Sequence, residues 1–277
     1  MRSLLKRTSL FVFLVLVSIS ATYSQSFLDK DSVLKNPKVY VCVGMFSPVI
    51  STSLRIDSDN GLGSDLSLED DFKLPSSIAV FKSDIYYRVK NRSQFVFSYT
   101  AMKRSKEFTI NKDINFADTS FYVNSDVKIY FKTFYYGLTW KYSVWNKPGW
   151  NAGFSVGLRA LQLKTGIEAN LNANSYKADE SVIAPALLYG IHGSGYLTPR
   201  FLARYSMEYF QLSVSGIKMI ILENKFTLEY YLHKNVGIGG GYQTSLYNVK
   251  EIPFNDNFNG RVRFVFSGFQ LFANARF

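Results

Sequence analysis

Phe269-Gln270-Leu271-Phe272-Ala273-Asn274-Ala275-Arg276-Phe277 alternates apolar with polar residues, Phe272 excepted, up to the last of the 277 residues. A two-residue period puts successive side chains on opposite faces of a strand. Soluble domains usually leave a few frayed residues at a terminus; this segment instead reads as strand throughout. About ten such segments fill the chain, near 38–56, 76–90, 94–106, 123–145, 150–166, 180–196, 200–214, 216–232, 235–250 and 259–277. No apolar pattern of helical period is sustained between them. The connections sort by parity. After even-numbered segments they are tight: Asn91-Arg92-Ser93, Asn146-Lys147-Pro148-Gly149, Leu197-Thr198-Pro199 and His233-Lys234. After odd-numbered segments they are mostly long and polar, at 57–75, 107–122, 167–179 and 251–258, with only Ser215-Gly216 short.

The expected fold is all-β, a transmembrane antiparallel up-and-down barrel of about ten strands, with eight or twelve as alternatives. A soluble secreted β-protein is the competitor, but a sandwich has no reason to sort its loops by parity. The first residues read as an export leader: Arg2, Lys6 and Arg7 precede an apolar run at 10–17, and cleavage after Ser24 leaves Gln25. That run is short of the about 20 apolar residues of a spanning helix. Residues 25–37 are then a short periplasmic segment and 38–277 the barrel. The 24 Phe and 19 Tyr supply what aromatic girdles at two membrane interfaces require.

The formal charge of +11 becomes +8 without the three cations of residues 1–24, a stretch that holds no acid. Lysine and arginine are scattered through the segments rather than gathered on one stripe, so nucleic acid is not an expected partner; anionic lipid head groups are. The single Cys42 allows no internal disulfide and reads as an inert small apolar group on the side away from lipid.

Alternation assigns the faces. Val39, Val41, Val43 and Met45 are expected to meet lipid, as are Phe95, Phe97, Tyr99 and Ala101. Trp150, Ala152, Phe154, Val156 and Leu158 follow, then Phe226, Leu228, Tyr230 and Leu232. The opposite, lumen-lining faces carry Lys82, Asp84, Arg88, Arg104, Arg159, Arg204, Glu208, Glu223, Lys225 and Glu229. An Arg or Lys at the lipid midplane costs about 2–4 kcal/mol, which forces such residues inward. The arginines at 104, 159 and 204 facing the glutamates at 208, 223 and 229 form either a paired network or the lining of a narrow passage. Two segments break phase. Val127, Ile129 and Phe131 give way to Phe134, Tyr136, Leu138 and Trp140, and Phe264 and Phe266 give way to Phe269 and Leu271. A β-bulge at each place is expected to restore the outward stripe.

Leader, alternation, aromatics, loop parity and terminal Phe277 together resemble the outer-membrane β-barrels of Gram-negative bacteria along the whole mature chain. The resemblance implies residence in the cell outer membrane and a last strand sealed against the first. It further implies Phe269, Leu271 and Phe277 as the sorting signal read by the barrel-assembly machinery, and outer-membrane lipids and lipopolysaccharide as surroundings. Leu66-Ser67-Leu68-Glu69-Asp70-Asp71-Phe72-Lys73-Leu74-Pro75 precedes Tyr86-Tyr87-Arg88-Val89 and Phe95-Val96-Phe97-Ser98-Tyr99. That order looks like a pattern in small outer-membrane barrels of unassigned role, where an acidic first loop leads into a Tyr-rich hairpin. Oligomeric state stays open.

No catalytic, cofactor or metal site is expected. His192 and His233 are the only histidines, and both fall near the tight-turn rim, away from where omptin-type proteases work. Ser194 shares a face with His192, but i and i+2 on a strand do not build a nucleophile–base contact and no third group orients them. The nearest approach to a Ca²⁺ loop is Asp57, Asp59, Asp65 and Glu69. Its spacing departs from the EF-hand pattern, with Leu62 where the glycine belongs and Leu68 where the bidentate Glu belongs. Gly237, Gly239 and Gly241 alternate on one face with no helix following, which reads as close packing of the wall rather than a phosphate cradle. The function read from this is a non-catalytic barrel with a structural or surface-interaction role through its extracellular loops. A narrow passive channel for small solutes is the alternative, and an outer-membrane hydrolase comes third.

Overall fold

Val39–Asp57 forms β1 and Gly63–Ser67 forms β2; Val80–Lys90 is β3, Ser93–Thr109 β4, Ile114–Phe116 β5 and Thr119–Phe121 β6. Asp126–Lys147 is β7, Trp150–Leu171 β8, Asn174–Thr198 β9, Phe201–Val214 β10, Ile217–His233 β11, Val236–Asn255 β12 and Phe258–Arg276 β13. The structure, a computed structural model, describes residues 37–57, 63–70, 73–109, 114–116, 119–121, 126–171, 174–214, 217–255 and 258–277. The leader at 1–24 and most of the segment at 25–37 lie outside the described residues. All strands except β2, β5 and β6 pair antiparallel in chain order, and β13 pairs back onto β1 to close a barrel of ten strands. β2 extends the upper end of β1, and β5 with β6 forms a separate hairpin.

The seam is continuous. Its register runs from Tyr40↔Arg276 to Asp57↔Asn259 without a slip. At its end the Phe277 carbonyl accepts the N–H groups of Lys38 (2.8 Å) and Val39 (3.1 Å), and its own N–H donates to the Val39 carbonyl (2.8 Å). Closure removes the unpaired edge that an open sheet would present to lipid.

Four connections are two-residue turns: Asn91-Arg92, Pro148-Gly149, Pro199-Arg200 and Lys234-Asn235. Gly149 takes φ 77°, a left-handed conformation that side-chain-bearing residues rarely adopt. The other rim departs from expectation. Residues 167–171, 174–179 and 251–255 are strand rather than loop: β8 and β9 stay paired to Leu171↔Asn174, and β12 and β13 to Asn255↔Phe258. Polar composition does not end a ladder where water solvates the outer face. A spanning strand needs about 9–11 residues, so β8, with 22, and β9, with 25, project well beyond the lipid.

Apolar residues face outward at alternate positions, among them Met45, Phe97, Phe154, Leu158, Leu228 and Leu271, all exposed. Trp140, Trp145 and Trp150 are exposed together at the turn-bearing end, and the Trp140 Nε1–H donates to Ser93 Oγ (2.8 Å). Neither expected bulge is present. The β4–β7 register runs unbroken from Ser93↔Tyr142 to Thr109↔Asp126, and β13 is regular through Ser267-Gly268 against both neighbours. Phe131, Phe264 and Phe266 instead point inward and are 7%, 2% and 3% exposed. The reason is that the barrel offers apolar side chains a second place to hide. Phe264 and Phe266 join Phe46, Ile50, Met102 and Leu188 in an internal apolar layer. Val127 and Ile129 have no described side-chain placement. Phe272, the exception to the terminal alternation, is also inward, set in register between Gly44 of β1 and Gly239 of β12.

Candidate functional site

From the tight-turn end upward, the lumen is stacked in three levels. In the lowest, Arg204 Nε donates to Glu229 Oε1 (2.8 Å) while its guanidinium lies 4.6 Å from the Tyr40 ring centroid and 5.6 Å from that of Tyr86. The Tyr231 hydroxyl donates to the other Glu229 oxygen (2.8 Å), so a carboxylate only 1% exposed is held on both sides. Arg276 sits over Tyr231 at 4.0 Å and bonds to the Tyr196 hydroxyl. Arg88 turns toward the rim, donating to the carbonyls of Pro37 (3.3 Å) and Asn91 (2.9 Å) and to Gln94 Oε1 (3.2 Å). Cys42 is buried and its thiol donates to the Tyr40 hydroxyl (2.9 Å).

The middle level is a charge cluster. Arg159 reaches Glu208 through Nη2 and Glu223 through Nε (3.1 Å), and its Nη1 donates to Thr139 Oγ1 (2.9 Å). Glu223 also accepts the hydroxyls of Tyr135 and Tyr247. Alongside, Lys225 pairs with Asp84, which accepts Ser98 Oγ (2.6 Å), and Lys82 donates to Gln243. Buried charges are tolerated when paired and hydrogen-bonded in this way. Tyr135 and Tyr247 were not singled out from the sequence, because a tyrosine fits either face of an alternating strand.

Above this lies the apolar layer, with Arg104 at its upper edge. Arg104 does not meet Glu208, Glu223 or Glu229. It pairs with Glu69, donates to Thr52 Oγ1 (3.0 Å) and covers the Phe131 ring at 5.2 Å. The acidic first loop is thus partly structural. Leu68 and Leu74 are buried, the Leu68 N–H donates to the Thr52 carbonyl (3.0 Å), and the Ile50 N–H donates to that of Ser76 (2.6 Å). Glu69 Oε2 accepts the Thr52 N–H (2.7 Å), so both oxygens of this carboxylate have partners within the protein. Asp59 lies outside the described residues, and Asp57 and Asp65 are placed by backbone alone, in the β1–β2 ladder. Among the described residues no group of three His, Cys, Asp or Glu is arranged to hold a metal.

Side chains of the described residues occupy the lumen at each of these levels. A cavity in the middle level, bordered by Asp84, Lys141, Arg159, Glu208, Glu223 and Lys225, measures about 50 Å³, and two nearer the turns about 20 Å³ each. Such spaces hold a few waters. His192 is buried in the lower half with Nε2 3.5 Å from Ser143 Oγ, while Ser194 Oγ accepts from Asn151 Nδ2 (2.7 Å). The pair does not assemble into a nucleophile and base. His233 ends β11 at its turn. The glycines at 237, 239 and 241 lie where walls come close: a Cβ at Gly239 would stand 2.4 Å from the Phe272 ring and one at Gly241 2.2 Å from the Phe226 carbonyl. Phe269, Leu271 and Phe277 share the outer face of the seam and are 72%, 73% and 65% exposed.

No family model and no curated protein matches the sequence. Among solved structures, the outer membrane protease OmpT from Escherichia coli is similar with a TM-score of 0.55 at 9% identity, over 86% of this chain and 97% of that one. The translocator domain of the autotransporter NalP from Neisseria meningitidis scores 0.41 at 11% identity, over 98% and 96%. The attachment invasion locus protein Ail of Yersinia pestis scores 0.30 at 10%, over 85% and 99%. The first is a likeness of fold alone, and the other two carry no further argument. The fold is that of Gram-negative outer-membrane β-barrels, which points to the outer membrane and a lipid environment.

Proposed function

We propose that this outer-membrane barrel is closed and non-catalytic, and that its role is structural or one of surface interaction. In this reading the tight turns face the periplasm, and the segments at 57–75, 107–122 and 167–179 are presented outside on the projecting strand ends. The leader is removed after Ser24, residues 25–37 stay periplasmic, and the assembly machinery reads Phe269, Leu271 and Phe277. The observation that carries the reading is the stacking inside: among the described residues an Arg–Tyr–Glu level, a charge cluster and an apolar layer border cavities of about 50 Å³ in the middle and about 20 Å³ nearer the turns. A hydrolase gains no support from the lumen, where His192 contacts Ser143 rather than a carboxylate.

A passive channel is the second reading, favoured by the row of inward charges. Planar-bilayer recording separates the two. The closed barrel is expected to give no single-channel steps when heat-modifiable migration in SDS shows it folded. Steps in the wild type that change in Arg159→Gln or Glu229→Gln would replace this reading with the channel. The display role itself is tested by deleting residues 110–122 and 172–179: cell-surface binding phenotypes should be lost while the barrel still folds.

A further inference from the structure

Lys141 of β7 is a lumen cation without a carboxylate partner. It lies inward between the buried Thr139 and Ser143, and among the described residues it has neither an ion pair nor a hydrogen bond. Its register partners are Gln94 of β4 and Ser155 of β8, and the positions diagonal to it are Arg92, Val96, Gly153 and Gly157. None of these is an acid. Across the lumen its Nζ stands 5.9 Å from the Tyr86 ring centroid, and the Arg204 guanidinium stands 5.6 Å from the same ring.

Lys141 borders two cavities of opposite character. The 50 Å³ cavity also meets Asp84, Glu208 and Glu223, but Asp84 is held by Lys225 and Ser98, and the two glutamates share Arg159. Below it, one of the 20 Å³ cavities is bordered by Lys141, Arg204, Lys225, Gln94, Asn151 and Ser194, and among the described residues no carboxylate lines it. Glu229, the partner of Arg204, borders instead a smaller space beside Cys42. Around these three spaces five cations, Lys82, Lys141, Arg159, Arg204 and Lys225, meet four carboxylates, Asp84, Glu208, Glu223 and Glu229. One positive charge is left over. An uncompensated charge away from bulk water is costly, so the lumen calls for one anion.

The recess without a carboxylate is where it fits. Two of its neutral residues have donors to spare. Gln94 uses its oxygen to accept from Arg88 (3.2 Å), which leaves its amide N–H groups, and Ser194 Oγ accepts from Asn151 (2.7 Å), which leaves its hydroxyl proton. At about 20 Å³ the space is little larger than the ~10–15 Å³ that one water requires. It takes a monoatomic ion and excludes the five heavy atoms of a phosphate or sulfate. The way in is also cationic. The other 20 Å³ cavity shares Gln94, Asn151, Ser194 and Arg204 with the recess and reaches Pro37 and Gly149 at the tight-turn end. Arg88 borders it there, bonded to neutral acceptors only. Such a passage concentrates anions from that side.

We propose that a single chloride ion is bound in the recess between Lys141, Arg204 and Lys225, as the counter-ion of a lumen with one cation in excess. The proposal goes beyond the surface role and rests on the packed lumen of the preceding section. Conduction in planar bilayers would sink that packing, whereas an empty recess in a silent barrel would sink the chloride alone.

The test uses the full mature chain folded into vesicles, with chloride replacing gluconate at constant ionic strength. An ion that binds only the folded state stabilises it. Chloride should therefore raise the urea midpoint of wild type and leave that of Lys141→Met unmoved. In gluconate, Lys141→Met should be at least as stable as wild type, because it removes the surplus charge. Lys90→Gln, at the rim and outside the recess, should respond to chloride as wild type does. Crystals of wild type grown in bromide should show one anomalous-scattering peak in contact with Lys141 Nζ. That peak decides the matter even if Lys141→Met does not fold. An unresponsive wild type, an equal response in Lys141→Met, or water alone in the recess of bromide crystals overturns the proposal.

Discussion

Glu223 shows at the scale of one residue what an interior charge requires. Its carboxylate accepts from Arg159, Tyr135 and Tyr247, groups contributed by β8, β7 and β12. Removing the cation while leaving the acids is the costly change, since it strands buried charge. Arg159→Met is expected to destabilise the folded barrel by about 3–5 kcal/mol. The matched variant Arg159→Met/Glu208→Gln/Glu223→Gln should recover most of that loss in urea unfolding from vesicles. If the single variant were as stable as wild type, the cluster would be solvated rather than buried. The inward position of Arg159 and Glu223 was legible from alternation. Their meeting was not, because the two are 64 positions apart and share no strand pair.

At the scale of the element, β13 shows where hydropathy misleads. Phe264, Phe266, Phe269 and Leu271 are all apolar, and placing them on one face needs a bulge; a regular strand instead sends the first two inside. The choice turns on what the opposite wall offers, here Phe46, Met102 and Leu188. Single cysteines in a Cys42→Ser background, each carrying a fluorophore, should separate the faces. A lipid-phase nitroxide is expected to quench the probe at Phe269→Cys strongly and that at Phe266→Cys little. Equal quenching at both would restore the bulge. The long strand ends near 167–179 and 251–258 escaped sequence reading for a related reason: outside the lipid, polar residues are as compatible with a ladder as with a loop.

For the whole molecule, closure between β1 and β13 is the event on which everything else depends. Gly44 lies in that seam, where a Cβ would stand 2.1 Å from the Leu271 carbonyl oxygen and 2.5 Å from the Phe272 Cα. This is the backbone of β13, which cannot yield as a flexible side chain can. Gly44→Val should therefore lose the heat-modifiable species in SDS electrophoresis of unheated samples. Gly193→Val should keep it, since a Cβ there meets nothing nearer than the Asn151 carbonyl at 3.6 Å. A folded Gly44→Val barrel would show that the seam tolerates separation.

The two-residue period, the tight turns and the inward charges could all be read along the chain, because each follows from a local rule: strands alternate, and lipid rejects ions. What had to await the closed cylinder were the contacts across it. Lys82 reaches Gln243 over 161 positions, Arg104 takes Glu69 instead of a lumen glutamate, and Lys141 and Arg204 meet over one Tyr86 ring. These depend on register and curvature summed around ten strands, quantities that no segment carries by itself.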